Sequence, residues 1–111
     1  MDPLLSIEVT RVDDVQIVEV AGELDIASAP ELAHALGTLE PCNVTVDLAR
    51  VTFVDSSGLR CLLEAHQRMR GDGSTLSVRG TSPIVRRTFE VTGLDQVLLV
   101  ETSRLTQSAD S

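Results

Sequence analysis

At residue 55 the chain changes its period. Val44-Thr45-Val46-Asp47-Leu48 and Val51-Thr52-Phe53-Val54 read as strand, whereas Leu59, Leu62, Leu63, His66 and Met69 recur at the i, i+3, i+4, i+7 spacing of a helix face. Between the two patterns lie Asp55-Ser56-Ser57-Gly58-Leu59. A strand must therefore give way to a helix at two hydroxyls and a glycine. Backbone N–H groups are unpaired at a helix start, and the helix dipole favours negative charge there. The junction suits a helix cap, an anion site or a serine that carries a covalent switch.

The flanking segments set the fold class. Leu4 to Thr10 and Val15 to Val20 alternate as strands and are separated by polar Arg11-Val12-Asp13-Asp14, the pattern of a hairpin. Gly22-Glu23-Leu24-Asp25 reads as the loop that follows. Ser28-Ala29-Pro30-Glu31 has the form of a capping box with proline in the first turn, and Leu32, Leu36 and Leu39 supply that helix's apolar face before Pro41 ends it. Gly58 to Arg70 is the second helix, and Thr75 to Val78 a further strand. Ser82-Pro83 opens a third helix with Ile84, Val85, Thr88 and Phe89 turned inward. Gly93 closes it in a left-handed C-cap with Leu94 packing back. Val97 to Val100 is a last strand. Strands alternating with helices after an opening hairpin predict one layered α/β domain with a mixed sheet. The expected domain is 4–101, and 102–111 is a polar tail or short C-terminal helix.

Composition narrows the chemistry. The net charge is −8, which opposes binding to phosphate backbones and anionic membranes, so neither nucleic acid nor membrane is expected as a partner. Phe53 and Phe89 are the chain's two aromatics, too few to form a stacking platform. Cys42 and Cys61 match neither a disulfide framework nor a metal motif, and Cys61 falls near the second helix's apolar face as a buried thiol. The N-terminus has no signal-peptide pattern and no run is long enough to span a membrane, so a cytoplasmic protein is expected.

The same junction argues against catalysis. A serine nucleophile needs a positioned base, and the candidates are His34 and His66, both on expected helices. His66 stands about 15 Å along the helix from the loop at 1.5 Å rise per residue, and no Gly-x-Ser-x-Gly elbow is present. Asp25, Asp47 and Asp55 have no metal-ligand spacing. A phosphate-cradling loop ending in lysine is excluded, because the chain has no lysine. A modified Ser56 would place about −1.5 to −2 charge beside Asp55, and beside Asp25 if that loop lies near. The helix dipole would offset part of that charge, so the fold would survive while the surface changed. Arg60, Glu64, Gln67 and Arg68 form the polar face of the second helix, whose beginning would belong to any partner footprint.

Gly22-Glu23-Leu24-Asp25, Val46-Asp47-Leu48 through Phe53-Val54-Asp55-Ser56-Ser57-Gly58-Leu59, and Ser82-Pro83-Ile84-Val85-Arg86-Arg87-Thr88-Phe89-Glu90-Val91-Thr92-Gly93-Leu94 occur in one order and spacing. In these stretches the chain resembles the bacterial anti-sigma factor antagonists of the STAS domain family. The resemblance implies a small mixed sheet with helices packed largely on one side, in a protein whose unphosphorylated form binds an anti-sigma factor with serine kinase activity and frees a sigma factor; neither enzyme activity nor a cofactor or metal is expected. It implies that the kinase phosphorylates Ser56 and that a metal-dependent serine phosphatase reverses the change. Asp25 and Asp55 would flank the site, and Ser57, Gly58, Leu59 and Arg60 would complete the partner footprint. The alternative is a STAS subunit that docks on a transporter or signalling assembly without being phosphorylated.

Overall fold

The computed structural model describes residues 5–39 and 41–101. The expected tail, 102–111, lies outside the described residues. Strands β1 (Leu5–Val12) and β2 (Val15–Leu24) form an antiparallel hairpin. Strands β3 (Asn43–Val54), β4 (Leu76–Arg79) and β5 (Leu99–Glu101) then add in parallel, giving a mixed sheet in the order β1-β2-β3-β4-β5. Helices α1 (Ala29–Gly37), α2 (Ser56–Gly71) and α3 (Pro83–Thr92) connect the parallel strands, with a 3-10 turn at Leu94–Gln96 before β5.

Strand register explains why the helices gather on one face. Val18 pairs with Val46 and Val46 with Val78, so these three fully buried valines form one row across the sheet. Leu32 and Leu36 of α1, Leu59 and Leu62 of α2, and Val85 and Phe89 of α3 join them in a single core. One residue along, the register sets Glu19, Asp47 and Arg79 side by side on the other face. There the Arg79 Nε donates to Asp47 Oδ2 at 2.9 Å. The layered α/β arrangement expected from the period changes is thus the one observed.

Several boundaries differ from the sequence reading, each for a local reason. The hairpin turn is shorter: Val12 pairs with Val15, and Asp13 takes a φ of 55°, which aspartate tolerates in a tight turn. Gly22-Glu23-Leu24 is not loop but the end of β2. The ladder shifts register between Glu19 and Ala21 and again between Gly22 and Glu23, and Gly22 absorbs the distortion at a φ of 116°. Strand β3 runs unbroken through Ala49 and Arg50 to Val54, joining the two strand-like runs into one. On α3, Val85 and Phe89 are buried four residues apart, but Ile84 is 71% exposed. It lies about 100° around the helix from Val85, outside the inward stripe. Val97 is exposed and precedes β5, which begins at Leu99. Ser82 does cap α3 through its hydroxyl, and Gly93 closes that helix in the left-handed conformation.

Phe89 is the largest fully buried side chain and joins α3 to the core. Phe89→Ala is expected to lower stability by about 3–5 kcal/mol, read as a lower urea midpoint at an unchanged slope.

Candidate functional site

Leu24 pairs with Val54, so the parallel strands β2 and β3 end level with one another. Whatever follows each strand must leave from the same edge of the sheet. This brings the Asp25 loop against the start of α2, a proximity that periodicity could not supply.

Asp55 links the two segments. Its N–H donates to the Leu24 carbonyl at 3.1 Å. Its Oδ1 accepts from the N–H groups of Ser57 at 2.9 Å and Gly58 at 3.1 Å, which caps α2. Its Oδ2 accepts from the Ile26 N–H at 3.2 Å, across to the β2–α1 loop. Asp25 is spent within its own loop, where Oδ1 accepts from the N–H groups of Ala27 at 3.0 Å and Ser28 at 3.1 Å.

Ser28 does not cap α1 as the capping-box pattern predicts. Its side chain is buried and turned back, donating to the Glu23 carbonyl at 2.6 Å and accepting from the Asp25 N–H at 2.9 Å. The strand-exit backbone offers buried polar groups that need partners, and they outcompete the helix end for this hydroxyl. Glu31 reaches Ser28 through main chain, its N–H to the Ser28 carbonyl at 2.9 Å.

Gly58 is needed for space. A Cβ there would stand 2.7 Å from Leu24 Cγ and 2.8 Å from the Leu24 carbonyl oxygen, so a side chain would lever α2 away from β2. Leu59 is buried in the core. Gly58 and Leu59 therefore shape the expected footprint from beneath without offering side chains to it.

Ser56 is the first residue of α2 and is exposed. Among the described residues its hydroxyl makes no hydrogen bond. Ser57 is half-buried and helps line a hollow of about 260 Å³ between α1 and α2, with Ile26, Pro30, Arg60, Cys61 and Glu64. Ile26 is 75% exposed at its rim and was missed from sequence. The available signal was an isoleucine inside a polar turn, where no strand or helix period accounts for it.

Cys61 closes the floor of this hollow. Its thiol donates to the Ala29 carbonyl at 3.7 Å, and burial pushes it up to about 11, with Glu64 adding to the rise and Arg68 opposing it. His34 is exposed in the last turn of α1, and His66 is half-buried on α2 with its Nδ1 unpartnered. Asp47, considered beside Asp25 and Asp55, is instead paired with Arg79 on the open sheet face. Among the described residues no group of three histidine, cysteine or acidic side chains could hold a metal ion, and no helix is long and apolar enough to cross a membrane.

The mixed five-stranded sheet with its three connecting helices is a small α/β domain of the STAS type. The family model for "Mlab, STAS domain" matches residues 7–101. The anti-sigma-B factor antagonist of Staphylococcus epidermidis is 33% identical over 99 residues, covering 86% of this chain and 92% of that protein. An anti-sigma factor antagonist from Mycobacterium paratuberculosis has a crystal structure that superposes with a TM-score of 0.79 at 31% identity, covering 86% of this chain and 84% of that one. A sulfate transporter family protein from Wolinella succinogenes shares the fold, with a TM-score of 0.72 at 20% identity over 84% of this chain and 81% of its own. The chain belongs to the STAS anti-sigma factor antagonist family.

Two outcomes are expected from the site's supports. Ser28→Ala leaves the Glu23 carbonyl and Asp25 N–H without their buried partner and should cost about 1–3 kcal/mol of unfolding free energy; an unchanged urea midpoint would contradict this role. Cys61 has its folded value raised above the ordinary 9.0, so its contribution to stability is complete below that value and lost as pH rises toward about 11. Thermal unfolding between those pH values should therefore weaken less in Cys61→Ala than in the wild type, each taken relative to its own stability at neutral pH.

Proposed function

We propose that this chain is an anti-sigma factor antagonist switched by phosphorylation of Ser56. The unphosphorylated form binds an anti-sigma factor with serine kinase activity and thereby frees a sigma factor. Phosphorylation releases the kinase, and a metal-dependent serine phosphatase restores the binding form. The protein performs no catalysis of its own and works in the cytoplasm, where its transcriptional partners act.

The observation that carries this reading is the free, exposed hydroxyl of Ser56 beside a carboxylate that cannot move. Asp55 is held by three backbone donors, and Ser57 is turned partly into the α1–α2 hollow. Of the two adjacent hydroxyls, Ser56 is the more exposed, which supports it as the kinase's target. Relatives at about one-third identity that bear the name anti-sigma factor antagonist supply the partner class.

Electrostatics supports this direction of the switch. A docked partner must dehydrate the Ser56 surface. A neutral hydroxyl allows this at small cost, whereas a phosphate of about −1.5 to −2 charge, beside Asp25 and Asp55, must lose its water without a preformed counter-charge in the partner. The protein's own charge of −8 adds to that repulsion toward any acidic partner surface.

Incubation with ATP and the anti-sigma kinase, followed by mass spectrometry, should place phosphate on Ser56 and none on Ser57. Labelling that survives Ser56→Ala would overturn the assignment. Ser56→Asp should weaken partner binding by about tenfold or more, roughly 1.4 kcal/mol, while Ser56→Ala binds like the wild type in calorimetry. Affinity indifferent to both changes would favour the alternative of a non-phosphorylated docking subunit.

A further inference from the structure

The first turn of α2 has little left to offer a phosphate. The Ser57 and Gly58 N–H groups already donate to Asp55 Oδ1, and the Leu59 N–H donates to the Asp55 carbonyl at 3.1 Å. Only the N–H of Ser56 itself is left in that turn among the described residues. Displacing the Asp55 side chain to free the others would also release Ile26 and the β2–α1 loop. A dianion on Ser56 needs a different counter-charge.

Around it most of the charge has the wrong sign. Glu23 and Asp25 come from the end of β2 and its loop, and Asp55 and Glu64 from α2 and its cap. Helix α1 carries Glu31 and His34 but turns Ala29, Pro30 and Ala33 to the hollow it shares with α2. The cation within the first two turns of α2 is Arg60. It lies four residues beyond Ser56, the spacing at which helical side chains meet. It is exposed, and among the described residues its guanidinium has no hydrogen bond or ion pair. Arg68 is held by the Leu36 carbonyl, Arg79 by Asp47 and Arg86 by Glu90, while Arg50, Arg70 and Arg87 lie on β3, the last turn of α2 and α3, none of them on the turn that follows Ser56.

We infer that Arg60 is the built-in counter-ion of a phosphate on Ser56, pairing with it along the face of α2. The inference rests on Ser56 being the modified residue. A planar guanidinium presents two parallel N–H donors to two phosphate oxygens, a fit that a lysine ammonium cannot reproduce. The pairing has a consequence for docking. Arg60 lines the hollow between α1 and α2, so drawing it toward residue 56 removes a cation from that hollow as the phosphate adds a dianion beside it. One modification then changes the surface twice in the same electrostatic direction.

The test is a phosphorus NMR pH titration of full-length protein carrying phosphoserine introduced at position 56 by directed incorporation, which requires no kinase. Arg60 stabilises the dianion, so Arg60→Ala should raise the phosphate's apparent pKa by about half a unit, the scale of a helical i,i+4 pair with a divalent partner. Arg60→Lys should fall between the two. A coincident titration in wild type and Arg60→Ala would overturn the inference and leave the kinase-labelling result untouched. Conversely, absence of kinase labelling with the titration shift present would remove the regulatory reading and not the pairing. Arg60 is exposed and outside the core, so the variants are expected to keep the wild-type unfolding midpoint before phosphate is introduced.

Discussion

The Asp55 carboxylate accepts backbone hydrogen bonds from two segments, Ile26 on one side and Ser57 with Gly58 on the other. Capping a helix takes one oxygen. The second oxygen is what turns a local cap into a long-range fastening between residues 29 positions apart. Because the acceptor is a carboxylate and its partners are N–H groups, these bonds belong to the stronger, charge-assisted kind. The candidate site has a definite shape for this reason: Ser56 stands on a helix whose first turn is fixed to the neighbouring loop.

That fastening works only because other residues bring the segments together. The parallel register places Leu24 opposite Val54. The missing Cβ at Gly58 lets α2 approach the Leu24 backbone, which in turn accepts the Asp55 N–H. Ser28, buried under the loop, satisfies the Glu23 carbonyl and Asp25 N–H that would otherwise be stranded as the strand ends. Each of these groups satisfies a local requirement, and their joint effect is to leave one hydroxyl exposed and unbonded among its pinned neighbours.

The sequence was most legible where a local period dominates. The change from β-branched runs to helical spacing at residue 55 located α2 and the site, and the Ser82-Pro83 and Gly93 signals located α3 at both ends. It was least legible where tertiary partners compete with local chemistry. Ser28 has the spacing of a capping box, yet strand-exit groups claim its hydroxyl. Gly22-Glu23-Leu24 has the composition of a loop, yet pairing with β3 holds it as strand through two register shifts. Ile84 sits in an apolar run but falls off the buried stripe, a distinction of one residue in angular position. Asp25 and Asp55 were both picked out, but only the strand register could show that their segments lie together. Ile26 was invisible to period analysis because its role depends on the hollow beside it.

A site so tightly fastened constrains how modification can act. Were the first turn of α2 free, a phosphate could capture its N–H groups, shift the helix and transmit a conformational change. Asp55 already occupies those donors, and Ser28 and Gly58 hold the surfaces that would have to move. The energy of a new charge at residue 56 would therefore be met at the surface, by solvent and by exposed side chains such as Arg60. On the proposed reading, a phosphate there would change what the protein presents and not how it folds. A partner would then distinguish the two states by the electrostatics of one helix face.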